Sequence, residues 1–178
     1  MISFEKPDYR IAEYQESNHY GKFELEPLER GFGTTIGNAI RRVMLSSLPG
    51  SAITSVKIEG VLHEFQKIDG VVEDVTSIVL ALKNVVVKNH TEEVKVLHLV
   101  KNTEGPVTAG DFEKNADVDI INPDLVICNL VEGGKIDMEV TIFNGKGYVD
   151  AKENKKLFAE NKAGVIAIDS NYSPIELV

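Results

Sequence analysis

Cysteine occurs once in these 178 residues, and positive charge is scarce beside negative. No apolar run approaches the length needed to cross a bilayer. One cysteine excludes an internal disulfide framework and any cysteine-rich zinc site. Cys128 lies in the apolar run Leu125–Leu130, which predicts a buried, inert thiol. Lys and Arg number 19 against 28 Asp and Glu, for a net charge of −9 and a sequence pI of about 5.0. A free-standing nucleic-acid binder normally carries a basic balance or patch, so this charge argues against DNA or RNA as the main partner. The start of the chain lacks the basic and apolar regions of a signal peptide, and the cytoplasm is the expected compartment.

Catalytic constellations are missing too. None of His19, His63, His90 and His98 pairs with another at helical metal spacing. His63 and Glu64 fall in a predicted strand, where neighbours point to opposite faces. Ser46 and Ser47 have no nearby base, and the carboxylates are scattered. No catalytic residue, metal site or cofactor is therefore predicted.

What is present is a soluble-protein composition, 43% hydrophobic and 26% charged, long enough for one domain or two small ones. The most informative stretch is Leu25–Gly50, which reads as a strand, a glycine-rich turn and an amphipathic helix. Thr34 or Thr35 can cap the first amides of that helix. Pro49 cannot continue it, and Gly50 suits the left-handed residue that often follows one. Ile36, Ala39, Ile40, Val43 and Met44 form one apolar stripe at helical spacing. Asn38, Arg41, Arg42 and Leu45 fall on the other side. Two readings fit that side: a solvated face with one exposed leucine, or a protein-binding face in which arginines flank an apolar anchor. Spacing alone does not choose.

Gly31, Gly33 and Gly37 follow a strand and open a helix, which suggests a phosphate cradle and, as an alternative function, a nucleotide-binding enzyme. The third glycine is one residue late for the dinucleotide fingerprint, and the lysine of a P-loop is absent. A tight turn with close packing explains the glycines more simply.

Along the rest of the chain, Met1–Ser17 reads as an extended lead-in and Tyr20–Leu25 as a strand. Ala52–Ile58 and Val61–Phe65 suggest a hairpin about Glu59 and Gly60. A second helix is predicted over Val71–Asn84, its stripe made by Val71, Val75, Ile78, Val79 and Leu82. Glu73 and Asp74 suit its positive end, and Lys83 its last turn. Further strands are expected at Val85–Lys88, Val94–Lys101, Val118–Ile121, Leu125–Leu130, Lys135–Phe143 and Val165–Ile168. The clearest alternates Ile136, Met138, Val140 and Ile142 with Asp137, Glu139 and Thr141. Gly105-Pro106, Asn122-Pro123, Gly133-Gly134 and Asn144-Gly145 mark turns, and Gly145–Tyr148 reads as a tight turn beneath Tyr148. Lys152–Lys162 is a charged loop with room for one helical turn. The class is α+β, with a boundary near Ala52 between a strand-and-helix unit and a mainly antiparallel β unit carrying the second helix.

The segment Leu25–Gly50 resembles the first sequence block of the amino-terminal domain of bacterial RNA polymerase alpha subunits. Ser55–Phe65, Gly70–Val75, Pro123–Cys128, Gly145–Val149 and Tyr172–Glu176 resemble later blocks in the same order. The resemblance implies a non-catalytic scaffold that dimerises with a second alpha copy and recruits the beta and beta-prime subunits. It implies residues 1–51 as the first part of a dimerisation subdomain, 52–169 as an inserted β-rich subdomain, and 170–178 as the start of the return. It implies a beta-contacting face at Arg42 and Leu45 with Asn38 and Arg41, and a beta-prime contact at Lys83. Ile36, Ile40, Val43 and Met44 would pack within the dimerisation subdomain or against its partner helix. Two departures stand out. Lys146 occupies a position that is usually arginine, and lysine lacks the arginine fork. Family members also run on past the point matching Val178, through a helix that completes the dimer and a DNA-binding domain. This chain is therefore expected to be a fragment or a short form, with no direct DNA contact.

Overall fold

The computed structural model describes residues 6–160 and 162–178. Internal contacts divide the chain into two units, Met1–Val43 and Met44–Val178.

In the first unit a hairpin replaces the extended lead-in, whose residues 1–5 lie outside those described. Strands β1 (Asp8–Gln15) and β2 (Tyr20–Glu26) pair antiparallel, joined by one 3-10 turn and a left-handed His19. The register sets Tyr9 opposite Leu25, Ile11 opposite Phe23, and Tyr14 opposite Gly21. A bulge at Ala12, between Ile11 and Glu13, re-phases the strand so that Tyr14 joins Tyr9 and Ile11 on one face. The opposite face is charged. Arg10 pairs with Glu24 at 2.6 Å and Glu26 at 3.4 Å, and Lys22 with Glu13 at 3.5 Å.

Helix α1 (Phe32–Ser46) follows. It starts directly after Gly31, whose φ of 90° makes the turn, so Thr34 and Thr35 lie inside the first turn and not at the cap. Nor is Gly50 the left-handed residue after the helix: Pro49 and Gly50 already open the next strand.

The second unit contains β3 (Pro49–Ile58), α2 (Val75–Leu82), β4 (Val87–Asn89), β5 (Lys95–Lys101), β6 (Gly105–Thr108), β7 (Val118–Ile120) and β8 (Val126–Leu130). After these come β9 (Ile136–Lys146), β10 (Tyr148–Val149), α3 (Ala151–Phe158), β11 (Val165–Ala167) and β12 (Ser170–Asn171). An antiparallel sheet in the order β11-β3-β9-β5 is the centre, with β4–β7, β6–β8 and β10–β12 as smaller antiparallel pairs. The α+β class stands.

The alternation of β9 does what its pattern dictates: Ile136, Met138, Val140 and Ile142 are buried, and Asp137, Glu139 and Thr141 are not. They join Ile53, Val56 and Ile58 of β3, Leu97 and Leu99 of β5, and Val75, Ile78 and Leu82 of α2 in one core. Each fully buried aliphatic side chain of this kind contributes about 1.5–3 kcal/mol.

Several local expectations give way to non-local pairing. No strand forms at Val61–Phe65, because both edges of β3 are taken by β9 and β11. The chain instead turns at Gly60 (φ 78°), and the Gln66 amide closes the loop, accepting from Leu62 N at 3.1 Å and donating to Gly60 O at 2.8 Å. His63 and Glu64 are thus loop residues.

Helix α2 begins at Val75 and not Val71, because Asp74 caps it by accepting from Ser77 N at 2.8 Å. Glu73 faces away from that role, its two oxygens each 2.7 Å from Asn129, one at N and one at Nδ2. Gly105-Pro106 lies in β6 and Asn144-Gly145 in β9, so neither is a turn. The ring over Gly145 belongs to Tyr172, not Tyr148: a β-carbon there would stand 2.7 Å from it. Gly50 likewise lies so close to the Tyr172 carbonyl that no side chain fits.

Where the charged loop was expected, α3 is a full helix capped by Asp150, which accepts from Glu153 N at 2.8 Å. It lies against β3 and β11, with Asn154 fully buried.

Candidate interaction sites

Helix α1 carries two of the sequence-predicted groups. No residue of it is buried. In the stripe, Ile36 and Met44 are half-buried, while Ile40 and Val43 are about half exposed, at 46% and 54%. On the other side Asn38, Arg41 and Arg42 are exposed and Leu45 is half-buried. The stripe is therefore not a core face within this chain. It adds to the apolar surface of the first unit, where Tyr9, Ile11, Tyr14, Phe23 and Phe32 are also exposed. On the hairpin Tyr9, Ile11, Tyr14 and Phe23 share one face, and an exposed apolar face of this kind marks a protein-interaction site.

The glycine loop lacks the strand context of a dinucleotide site. Among the described residues nothing lies within 4 Å of a β-carbon built at Gly31, Gly33 or Gly37, so the close packing expected of these glycines is absent as well. The strand after α1 enters an antiparallel sheet, whereas a dinucleotide fold needs a parallel crossover.

Lys83 occupies a more elaborate setting than a helix end. It is the C-cap of α2, its N–H donating to Val79 O at 3.2 Å. Its ammonium forms an ion pair with Asp169, and both side chains are about 30% exposed. The other carboxylate oxygen of Asp169 accepts from the Tyr148 hydroxyl at 3.1 Å. Residues 83, 148 and 169 are far apart in sequence, so no local spacing could have announced the cluster. Burial tends to raise the Asp169 pKa, but the bonds from Lys83 and Tyr148 outweigh it and hold the carboxyl below its ordinary range. The same bond to the Asp169 carboxylate raises the Tyr148 phenol, since a proton facing an anion is held more tightly.

The backbone beneath Asp169 is fixed on both sides. Ile168 N donates to Thr54 O at 2.8 Å, and Ser170 Oγ donates to Ile53 O at 2.8 Å. The buried Asn154 amide donates to Ile168 O at 2.6 Å and to Ser170 Oγ at 2.9 Å. Tyr148 is held in turn by the β10–β12 pairing and by Tyr172 N donating to Gly147 O at 2.8 Å. Lys146, the residue that departs from the usual arginine, is exposed at the end of β9. Sequence reasoning missed Asp169 and Asn154; a neutral amide among the lysines of α3 was the one signal for the latter.

Other titratable groups have structural surroundings. His90 Nε2 lies 2.8 Å from Asp119, and His98 lies 3.9 Å from Glu139. Cys128 is fully buried, and desolvation pushes its thiol up to about 12. Among the described residues no group of three His, Cys, Asp or Glu side chains could hold a metal ion, and no helix is long and apolar enough to cross a membrane.

Comparison with known proteins agrees with this picture. Residues 56–173 match the RNA polymerase Rpb3/RpoA insert domain. The whole chain aligns with the DNA-directed RNA polymerase subunit alpha of Desulforamulus reducens at 56% identity, and with that of Symbiobacterium thermophilum at 53%. The alpha subunit of Desulfitobacterium hafniense is 52% identical over 98% of the chain. The chain spans 55–56% of the length of these relatives. With a family match over residues 56–173 and relatives above half identity along its entire length, the chain belongs to the bacterial RNA polymerase alpha-subunit family.

Proposed function

We propose that this chain is a non-catalytic assembly scaffold of a bacterial DNA-directed RNA polymerase, acting in the cytoplasm without membrane or direct DNA contact. It pairs with a second alpha copy and recruits the beta and beta-prime subunits of that nucleotidyltransferase complex. The observation that carries the reading is the end-to-end similarity to proteins named as alpha subunits. The open apolar face of the first unit supports it, since a scaffold needs surfaces its own core leaves uncovered.

In this reading Ile36, Ile40, Val43 and Met44 serve dimerisation. Asn38, Arg41, Arg42 and Leu45 meet beta, and Lys83 meets beta-prime. Residues 1–51 begin the dimerisation subdomain, 52–169 are the insert, and 170–178 start the return.

Co-purification with separately expressed beta tests the reading. The original chain should capture beta, and a folded Arg42→Ala variant should lose at least about 2 kcal/mol of binding, as expected of an interfacial arginine anchor. Undiminished capture by that variant would overturn the assignment of the face. The nucleotide-binding alternative has its own check: saturating nucleotide should leave the melting temperature unchanged, because a specific ligand of the folded state would raise it.

A further inference from the structure

We infer that Asp169 and Tyr148 are positioning residues for Lys83, and that the three side chains act on beta-prime as one contact unit. The inference rests on the proposed beta-prime role of Lys83.

A lysine ammonium sits on a flexible four-carbon stem and loses substantial rotamer freedom when a partner immobilises it. Here that cost is met before any partner arrives. The ion pair to Asp169 holds the ammonium, and the Tyr148 hydroxyl holds the other oxygen of the same carboxylate. The carboxylate is itself anchored through Ile168 and Ser170 to β3 and through Asn154 to α3. The anchoring therefore reaches Lys83 from the central sheet.

The cluster is also open to a partner. The Tyr148 residue is 65% exposed, and Lys83 keeps roughly a third of its side-chain surface. Leu80, one helical turn before Lys83 and 54% exposed, lies on the same face of α2. An ammonium with spare donors, a phenol ring and a leucine together fit a partner surface that presents hydrogen-bond acceptors beside an apolar group. Because Asp169 neutralises Lys83, the contact works at short range. Its strength should depend weakly on salt, unlike that of an unpaired lysine on a charged partner.

The test is capture of purified beta-prime by the chain already loaded with beta, measured with Lys83→Ala, Asp169→Asn, their double variant, and Tyr148→Phe. Beta loading and melting temperature report whether each variant folds. Lys83→Ala and Asp169→Asn should each weaken beta-prime capture about tenfold with beta loading intact. The double variant should cost less than the two single losses combined, since most of what Asp169 positions is gone once Lys83 is removed. Tyr148→Phe removes one exposed hydroxyl and should cost a few fold, and it keeps the test decisive if Asp169→Asn does not fold.

Unchanged capture by Lys83→Ala would sink the beta-prime assignment and this inference with it. Loss with Lys83→Ala but full capture by both Asp169→Asn and Tyr148→Phe would overturn the positioning role alone. So would an Asp169→Asn penalty that persists undiminished in the Lys83→Ala background.

Discussion

The two units hold themselves together by different means. In Met44–Val178 the aliphatic residues of β3, β5, β9 and α2 share one buried core. Among the described residues of Met1–Val43 none is buried, and most aromatic and aliphatic side chains of the hairpin and helix remain exposed, with Leu25 and Ile36 half-buried. The first unit sorts its residues by face as cleanly as the second, with ion pairs on one side of the hairpin and Tyr9, Ile11, Tyr14 and Phe23 on the other. Amphipathic sorting thus builds a core in one unit and a surface in the other. Pattern alone shows which face is apolar, and only the fold shows what covers it.

The sharpest way to break this contrast is to truncate one apolar residue in each unit. Met138→Ala should cost about 2–5 kcal/mol in urea or thermal unfolding, through lost burial and a residual cavity. Ile11→Ala should change stability by no more than about 0.5 kcal/mol while weakening the proposed self-association in sedimentation experiments. Equal losses of stability would mean that the first unit has a core of its own.

Gly145→Ala tests packing in the second unit further. The added methyl would meet the Tyr172 ring, and overpacking of this kind costs about 1–3 kcal/mol. At Gly33, where nothing lies within 4 Å, the same substitution should be neutral or slightly stabilising, because alanine favours a helix over glycine by roughly 1 kcal/mol.

Acid should act on the second unit in a defined direction. Burial tends to raise Glu73, Asp111 and Asp169, but hydrogen bonds from Asn129, from Lys101 and Thr108, and from Lys83 and Tyr148 hold them below ordinary values of 4.5, 3.8 and 3.8. A folded-state value lower than the unfolded one favours the fold above the ordinary value. That contribution is lost as pH falls through the lowered one. Glu73→Gln should therefore flatten the acid limb of the stability curve, and an unchanged limb would exclude Glu73 from it. The smallest effect belongs to the hairpin: Arg10→Ala should leave the unfolding midpoint almost unmoved, since both ion-pair partners are solvated and salt screens them.

What was legible in the sequence follows the range of the forces involved. The alternation of β9 is local and strong, and it predicts the buried residues correctly. Cys128, within an apolar run, is buried as expected. The period of β1 was hidden because the bulge at Ala12 breaks its alternation. A hairpin at Glu59 and Gly60 was plausible locally but lost to the distant partners of β3. Helix α3 was obscured because its buried contact is a polar one, Asn154, which a hydrophobic pattern cannot register. For the same reason Lys83 was visible as a helix-end cation, and its bond to Asp169 was not.

The close approach of Gly50 to Tyr172 has a consequence for how such a chain is built. It brings the entry and exit of nearly the whole second unit to a single point, as in domains whose ends lie together. A unit with adjoining ends is a cassette: a host needs only one short gap in its own backbone to accept it. The same geometry would let new termini be opened in an exposed loop while the old ends are joined by a few residues.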